Sequence, residues 1–465
     1  MRGLGARLTR RTRQPGRDGP GVLVVVQNLS VPLDRRVWLE CQALRDTGHT
    51  VSVICPAGPG EPPSRMHEGV WIRTYRPAPP AAGPRGYAVE FLYSWMRTAW
   101  LSLLVWRERG FSVLQACNPP DTYWALARLW RLRGVRFVFD QHDLNPELFL
   151  SRFGEPRGLV QSVQLRVLTW LESRTYRAAD RVISTNESYR EIALGRGKQD
   201  PSCVTVVRSG PDTMTMRPVW PPTTIARPHL LAYLGIMGPQ DGVDQALLVM
   251  DELVNRRGRA DIHLALLGFG DCFDQLRDQA TRLRLGDNVT FTGRADLGMV
   301  ADYLSSADLG ICPDLKTPLN DVSTMNKVME YMAYCLPSVS FDLVESRVSA
   351  AETAVFVTSG DIRGFADAVV DLLDDDQRRV GMGLAARRRV ESELDWAEQA
   401  EKYLGIFDDL FGSPSGRVAH SRIARATLPP GREYVRLDDD AGLKEFIRDR
   451  GRPRPQTLDT SEEAP

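Results

Sequence analysis

The sequence has few features of disulfide-rich, zinc-binding or nucleic-acid-binding proteins. Its seven cysteines are scattered, odd in number and without a Cys-x-x-Cys pair, which argues against disulfides and zinc and for a reducing compartment. Its six histidines include no His-Glu-x-x-His spacing. Because the formal net charge is zero, no overall field selects nucleic acid as a partner.

No secretory signal peptide is visible in the sequence, and we expect no apolar run long enough to cross a bilayer. Its first 20 residues contain six arginines and one acid, which predicts a basic disordered tail, with an anionic-surface anchor as the alternative. The strongest membrane candidate, Phe91 to Trp106, is shorter than the roughly 20 residues of a membrane span. A buried core helix is favoured there over membrane contact. We expect a cytoplasmic protein, with peripheral association at the inner face of the membrane as the alternative.

Apolar strands and amphipathic helices alternate along most of the 465 residues. Val22 to Val26 is a pure valine and leucine run, typical of a strand buried on both faces. A helix ending at Gly48 and a strand at Val51 to Ile54 complete a βαβ unit. The same pattern restarts after the proline-rich stretch 218–228, which predicts two doubly wound parallel-sheet domains.

The expected organisation has five parts. A basic tail (1–20) is followed by a first Rossmann-like domain (21–217) and a second Rossmann-like domain (218–397). A closing helix (398–412) and a partly disordered C-terminal tail (413–465) complete the chain. Ligands of such sheets bind at the carboxyl ends of the strands, so residues directly after strands are the candidates for function.

Four segments in order resemble retaining glycosyltransferases of family 4, which have the GT-B fold. They are the opening from Gly21, then VFDQHDLNPELF, LLGFGDCFDQLRDQATRLRLGDNVTFTGR and NKVMEYMAYCLPSVS. The resemblance covers about Gly21 to Phe411. It implies two facing Rossmann-like domains with a cleft between them, and a role in polysaccharide biosynthesis. It also implies a nucleotide-sugar donor on the second domain, a glycan, lipid-linked or small-molecule acceptor on the first, and retention of anomeric configuration.

The donor candidates lie on the second domain. Lys327 begins a predicted helix, where an ammonium and the helix N-terminus together suit a diphosphate. Glu330 matches the glutamate that holds the ribose in the family. We expect Lys327→Ala to stay folded and to lose on the order of a hundredfold in turnover. The full predicted donor set is Gly235, Gly268, Gly270, Arg294, Asp321, Lys327 and Glu330.

His142 and Asp143 follow a predicted strand of the first domain. An imidazole there can bind a sugar hydroxyl or exchange a proton, and a neighbouring carboxylate can fix its tautomer. With Lys327, these two residues form the predicted catalytic set. The predicted acceptor or phosphate loop of this domain consists of Asp34, Arg35 and Arg36.

Several positions depart from the family. Ile236 and Asp241 stand where the family has an arginine and a lysine, and Val322 replaces a glutamate. Asp34 and Arg35 replace a glycine pair. Arg35, Arg36 and Lys327 are the replacement cations, although arginines at a helix start can also be ordinary surface charge.

No metal and no cofactor are expected. The two Asp-x-Asp sequences, Asp374 to Asp376 and Asp438 to Asp440, lie in charge runs typical of solvated surface. Two other functions stay open at this point: a nucleotide-sugar 2-epimerase on the same fold, and a non-catalytic protein that binds a nucleotide or sugar.

Overall fold

The computed structural model describes residues 20–78, 83–220, 228–412 and 431–450. Most of the predicted basic tail, of the proline-rich linker and of the C-terminal tail lies outside these ranges. The chain divides into two compact units. Unit 1 takes its described residues from Met1–Asp140, Ala178–Asp180 and Leu404–Ala419, and unit 2 from Gln141–Arg177, Arg181–Tyr403 and His420–Pro465. The predicted domain boundaries stay predictions.

The described residues form 16 strands and 15 α-helices. The strands are β1 Gly21–Val25, β2 Thr50–Pro56, β3 Ser64–His67, β4 Val70–Tyr75, β5 Val113–Cys117, β6 Arg136–Gln141, β7 Arg181–Ser184, β8 Val204–Val206, β9 Val219–Trp220, β10 His229–Leu234, β11 Ile262–Leu267, β12 Val289–Gly293, β13 Leu309–Cys312, β14 Ser338–Phe341, β15 Ala354–Val357 and β16 Glu433–Tyr434. The helices are α1 Arg35–Asp46, α2 Gly83–Glu108, α3 Tyr123–Arg131, α4 Asn145–Phe153, α5 Leu159–Ala178, α6 Glu187–Gly195, α7 Val243–Asp251, α8 Phe273–Arg282, α9 Leu297–Ser306, α10 Asn326–Ala333, α11 Val344–Ala350, α12 Ile362–Asp374, α13 Asp376–Arg389, α14 Trp396–Phe411 and α15 Asp440–Arg448.

The sheet of unit 1 has β1 near its centre, with parallel neighbours β2 and β5. Four of the five residues of β1 are buried, as expected for a strand that is covered on both faces. The strand order there is β3-β4-β2-β1-β5-β6, and β3 is antiparallel to β4 at the edge. This edge hairpin is an element that the sequence analysis did not predict.

The sheet of unit 2 has six parallel strands in the order β12-β11-β10-β13-β14-β15. Alternate residues of β10 enter hydrophobic clusters on opposite faces: Leu231 packs with α7, α8 and α12, while Ala232 packs with α9 and α10. The strand β7 pairs in parallel with β8 in the same unit. Helices on both faces of a parallel sheet confirm the predicted Rossmann-like fold class.

The helix predicted from Phe91 to Trp106 exists as the longer α2, but it is not buried all round. Ser94, Thr98 and Ser102 face inward and are buried, whereas Leu92, Trp100 and their apolar neighbours are exposed. The inward hydroxyls are bonded; the Trp130 indole, for example, donates to the Ser102 hydroxyl over 3.0 Å. The core-helix prediction is therefore wrong for one face of α2. Among the residues that the structure describes, no helix has the length and apolar character needed to cross a bilayer.

The described part of the predicted C-terminal tail, 431–450, is folded onto unit 2. The short strand β16 pairs with β9, and α15 packs Phe446 and Ile447 against Cys335 and Val380. Directly after α15, the buried Arg450 guanidinium donates four hydrogen bonds of 2.6–3.2 Å to carbonyl oxygens. These carbonyls, of Leu304, Ala307, Tyr334 and Cys335, lie at the ends of α9 and α10, where a cation is favoured by the helix dipole.

Replacement of Arg450 tests this arrangement. Arg450→Met would leave four buried carbonyl groups without donors, so we expect the free energy of unfolding of unit 2 to fall by at least ~2 kcal/mol. Hydrogen exchange at the ends of α9 and α10 should rise in parallel. The matched control is Arg448→Met, which removes an exposed arginine of the same segment and should change stability by less than ~0.5 kcal/mol. Equal effects of the two variants would contradict the capping role.

Candidate active site

The candidate donor residues collect at the carboxyl ends of three neighbouring strands in unit 2. β10 pairs in parallel with both β11 and β13, so the loops that follow these three strands emerge at one edge of the sheet. Gly235 follows β10 and Gly268 follows β11. The loop after β13 leads through Asp314 to α10.

The glycines allow two of these loops to touch through their backbones. A Cβ atom on Gly268 would lie 1.8 Å from the Gly235 carbonyl oxygen, and one on Gly270 would lie 2.6 Å from the Met237 oxygen. No side chain fits at such distances, so glycine is required at both positions. A Cβ atom on Gly235 would lie 3.4 Å from Cε of Lys327, which brings the lysine into the same group.

Lys327 is buried rather than exposed on its helix. Its Nζ donates to Oδ1 of Asp314 over 2.7 Å and lies 4.8 Å from the centre of the Tyr233 ring. The Tyr233 hydroxyl in turn donates to the Ile236 carbonyl oxygen over 2.6 Å. Oδ2 of Asp314 is buried and has no hydrogen-bond partner within the described part of the chain. The ammonium and its counter-charge are thus held between β10, the loop after β13 and the start of α10.

Asp241 lies in the loop between β10 and α7, close to this ion pair. Its Oδ2 accepts a hydrogen bond from the Gly238 backbone over 2.9 Å. The next residue, Gly242, has a φ of +66° and would place a Cβ atom 2.1 Å from the Pro313 carbonyl oxygen. The loop that carries Asp241 therefore packs directly on the residue before Asp314.

The remaining predicted donor residues lie nearby or have other partners. The exposed Arg294 follows β12, and its guanidinium carbon lies 4.2 Å from the centre of the Phe269 ring, between Gly268 and Gly270. Glu330 is half-buried one turn after Lys327. Asp321 accepts a hydrogen bond from the Val344 backbone at the start of α11 and lies 3.2 Å from Nζ of Lys316. Asp321 thus caps a helix, and its donor role stays a prediction.

The segment 319–324, which includes Val322, is held within unit 2 by the N-cap residue of α6, Asn186, and by Tyr189 on α6. The buried Asn186 amide donates to the Val322 carbonyl oxygen and to the Thr324 hydroxyl, both over 2.9 Å. Its Oδ1 also caps α6 by accepting from the Tyr189 backbone. The Tyr189 hydroxyl is 2.8 Å from the Ser323 hydroxyl. At the position of the family glutamate, the Val322 side chain packs with an apolar cluster instead.

His142 and Asp143 follow β6 and are both half-buried. Burial, followed by the charge of Asp143, raises the pKa of the Tyr189 hydroxyl, which places Asp143 in the electrostatic surroundings of the segment 319–324. The catalytic roles of His142 and Asp143 stay predictions.

The predicted phosphate loop of unit 1 is engaged in structural contacts. Asp34 caps α1 by accepting from the Val37 backbone, and Arg35 is partly buried. The Arg36 side chain, which is 9% exposed, lies 3.1 Å from carboxylate oxygens of Glu40 and of Asp140. Two carboxylates already balance the Arg36 charge, so it is not the surface arginine that the alternative supposed. Its phosphate role stays a prediction.

The middle residue of each Asp-x-Asp sequence caps a helix. Asp375 accepts from the Arg378 backbone at the start of α13, and Asp439 accepts from two backbone groups at the start of α15. Their neighbours Asp376 and Asp440 lie on the first turns of these helices, where carboxylates are favoured by the helix dipole.

Comparison with known proteins matches the two halves of the chain separately. Residues 33–210 match the family model described as "Glycosyl transferase 4-like domain", and residues 228–375 match "Glycosyl transferases group 1". A glycogen synthase of Mycobacterium tuberculosis is 29% identical over 395 residues, covering 78% of this chain and 87% of that protein.

The chain is a glycosyltransferase of the GT-B fold. Sucrose-phosphate synthase of Thermosynechococcus elongatus superposes with a TM-score of 0.68 at 18% identity and covers 84% of this chain and 99% of its own. HepE of Anabaena, solved with UDP-glucose, superposes with a TM-score of 0.60 at 14% identity and covers 84% of this chain and 99% of its own. The predicted fold and general activity are confirmed.

The buried Asp314, the half-buried Asp241 and the Lys327 ammonium set the electrostatics at the strand ends of this glycosyltransferase. Burial alone would lower the pKa of Lys327, but Asp314, Tyr233 and Asp241 together raise it well above its ordinary value. Burial raises the pKa of Asp241 to about 6, with the Lys327 charge opposing this shift and Asp314 adding to it. Lys327 is therefore a permanent cation near neutral pH, while Asp241 changes its charge in mildly acidic solution.

Sequence reasoning missed two residues of this group. Asp314 stands two positions after β13, where a strand-end carboxylate could have been noticed, but nothing in the sequence links it to Lys327. Tyr233 is the only aromatic residue of the apolar strand β10, and such a residue is ordinarily assigned to the core. Both become recognisable only from the fold.

The burial of Lys327 changes what its removal should do. Lys327→Ala would leave the Asp314 carboxylate buried without its partner, so we expect a loss of ~3–5 kcal/mol in the free energy of unfolding. The double variant Lys327→Met with Asp314→Leu removes both charges and should recover most of this loss. Urea unfolding of the single and double variants measures the difference. The expectation from the sequence that Lys327→Ala stays folded holds if this less stable single variant still shows a cooperative unfolding transition in urea.

Asp241 should make stability depend on pH. The Asp241 carboxyl has a pKa of about 6 in the folded state and ~3.9 in the unfolded chain, so the folded state binds its proton more tightly. This tighter binding stabilises the fold in full below pH ~4. The contribution is lost as pH rises through 6. Asp241→Asn should therefore gain stability relative to the parent between pH 4 and 7, by up to ~3 kcal/mol. The matched control is Asp278→Asn, which makes the same change at an exposed position of α8. Parallel stability curves for the parent and Asp241→Asn would refute the shift.

Proposed function

We propose that this enzyme transfers a sugar from a nucleotide-sugar donor to a glycan, lipid-linked or small-molecule acceptor with retention of anomeric configuration. The observation that carries the proposal is the buried cation of Lys327 beside the glycine loops at the strand ends of unit 2. A glycogen synthase among its relatives, and a fold shared with a protein solved with UDP-glucose, support a hexose donor of this kind.

The proposed chemistry breaks the bond between the anomeric carbon and the diphosphate oxygen. The acceptor oxygen forms its new bond on the same face of the sugar, and its proton passes to the leaving phosphate oxygen. Negative charge develops on the diphosphate, so the enzyme needs a fixed positive group there. Lys327 and the N-terminal N–H groups of α10 supply it, and Arg294 adds an exposed cation.

Glu330 and His142 complete the proposal. A carboxylate one turn after Lys327 can accept hydrogen bonds from two ribose hydroxyls. The His142 imidazole, with Asp143 beside it, would bind a sugar hydroxyl near the reacting carbon. We further propose that no divalent metal is needed, because Lys327 and the helix N-terminus meet the diphosphate charge. A cytoplasmic location fits the seven cysteines, all of which are unpaired thiols.

Incubation with a panel of UDP-, ADP- and GDP-hexoses tests transfer, with products detected by mass spectrometry and their configuration assigned by NMR. We expect a glycoside that keeps the anomeric configuration of the donor, in the presence of EDTA as well as without it. Loss of activity in EDTA that manganese restores would overturn the metal-free proposal. A changed sugar without any acceptor would instead show epimerisation, and tight nucleotide binding without turnover would show a binding protein.

The double variant Lys327→Met with Asp314→Leu separates catalysis from folding in this assay. If its stability is recovered, we expect turnover to fall on the order of a hundredfold, because the cation is gone while the fold remains. The control is Asp278→Asn, which should keep the parental rate. A folded double variant with normal turnover would remove Lys327 from the mechanism.

We also propose peripheral association with the membrane that would carry a lipid-linked acceptor. The exposed apolar face of α2 supports this proposal, because Leu92, Met96 and Trp100 lie on it at helical spacing and can enter the membrane interface.

A further inference from the structure

A second helix, α5, exposes a continuous apolar stripe that the sequence analysis did not single out. Five of its apolar side chains are exposed, with exposed fractions between 46% and 77%. At 100° per residue these positions fall within an arc of about 120°, so they form one face of the helix. The stripe consists of Leu159, Val160, Val163, Val167 and Trp170.

The same face of α5 is basic. Arg166, Arg174 and Arg177 are exposed and fall in this arc, and the arc contains no acidic residue. The Arg174 guanidinium carbon lies 5.4 Å from the centre of the Trp170 ring. The buried Glu172 and Tyr176 lie on the opposite, inward side of the helix. Charge and apolar surface thus share one side, while the packing residues occupy the other.

This combination favours an anionic lipid surface as the occupant. Valine and leucine side chains at the surface can enter the interfacial region of a bilayer, where tryptophan is also favoured, while arginines contact the lipid phosphates. A second copy of the chain is disfavoured on this face, because a two-fold interface would bring the same arginines against one another. A neutral protein partner would leave three arginines without counter-charges.

From this geometry we infer that the exposed face of α5, defined by Leu159, Val163, Arg166, Trp170 and Arg174, docks on an anionic bilayer. The inference extends the membrane association proposed for α2 to a separate surface that carries its own charge. It holds whichever sugar the enzyme transfers, because none of these residues belongs to the candidate active site.

Co-sedimentation of the full chain with vesicles tests the inference. Vesicles of phosphatidylcholine alone are compared with vesicles that also contain phosphatidylglycerol, at low and at high salt. We expect binding to the anionic vesicles that weakens as salt rises, because counter-charges are screened. Arg166→Gln with Arg174→Gln should lower the partition coefficient on the order of 5-fold per arginine, or about 30-fold together.

Three comparison variants make the result specific. Val163→Ser with Val167→Ser removes apolar stripe residues and should also weaken binding. Arg277→Gln with Arg282→Gln on α8 makes the same charge change on another exposed helix and should bind like the parent. Leu92→Ser with Trp100→Ser measures the contribution of α2 separately.

Parental binding by the α5 variants would overturn the inference, as would equal binding to neutral and anionic vesicles. A dimer that dissociates in the α5 variants, without vesicle binding by the parent, would show that a second copy covers this face instead. Failure of the proposed function gives a different result. A parent chain that binds vesicles but transfers no sugar contradicts only the enzymatic proposal. If the parent is active, the α5 variants should keep its rate of transfer to a soluble acceptor.

Discussion

The ion pair between Lys327 and Asp314 is the constraint around which the candidate active site is organised. Both side chains are buried, so each charge is tolerated only because the other lies 2.7 Å away. The pair joins the loop after β13 to the first turn of α10. The lysine stem also fills the space next to Gly235, where even a single added carbon would come within 3.4 Å of it. The positions of the loop, the helix and the glycine are therefore interdependent.

Strand prediction succeeded for short segments of apolar and small residues that are buried on both faces of the sheet. The predicted bounds of β11, β13 and β14 match the structure, since each of these strands is covered by helices on both sides. The hairpin of β3 and β4 was missed, because β3 lies at a sheet edge and includes residues such as Ser64 and Arg65 that give no apolar pattern. Periodicity also failed on α2, because its buried face includes the hydroxyl residues Ser94, Thr98 and Ser102 while large apolar side chains are exposed.

The sequence could predict which candidate residues lie close together where their position along the chain is informative, while their roles in the site stay predictions. Gly235, Gly268 and Lys327 follow strands or begin a helix, and a parallel sheet brings such positions together. The partners of these residues could not be predicted in the same way. Arg36 shows the limit: its partner Glu40 is one helical turn away, but its other partner, Asp140, is 104 residues away in sequence. Which charges are neutralised therefore depends on tertiary structure.

Asn186 illustrates how a single amide can restrict sequence change. Its oxygen accepts the first backbone bond of α6, while its nitrogen donates to both Val322 and Thr324. Aspartate could replace the acceptor but offers no donor, and serine is too short to span both sides. Glutamine has both an acceptor oxygen and a donor nitrogen, but its additional methylene group moves the oxygen away from the backbone N–H that it should cap. Each of these replacements loses at least one contact, so Asn186 couples the position of the segment 319–324 to the start of α6.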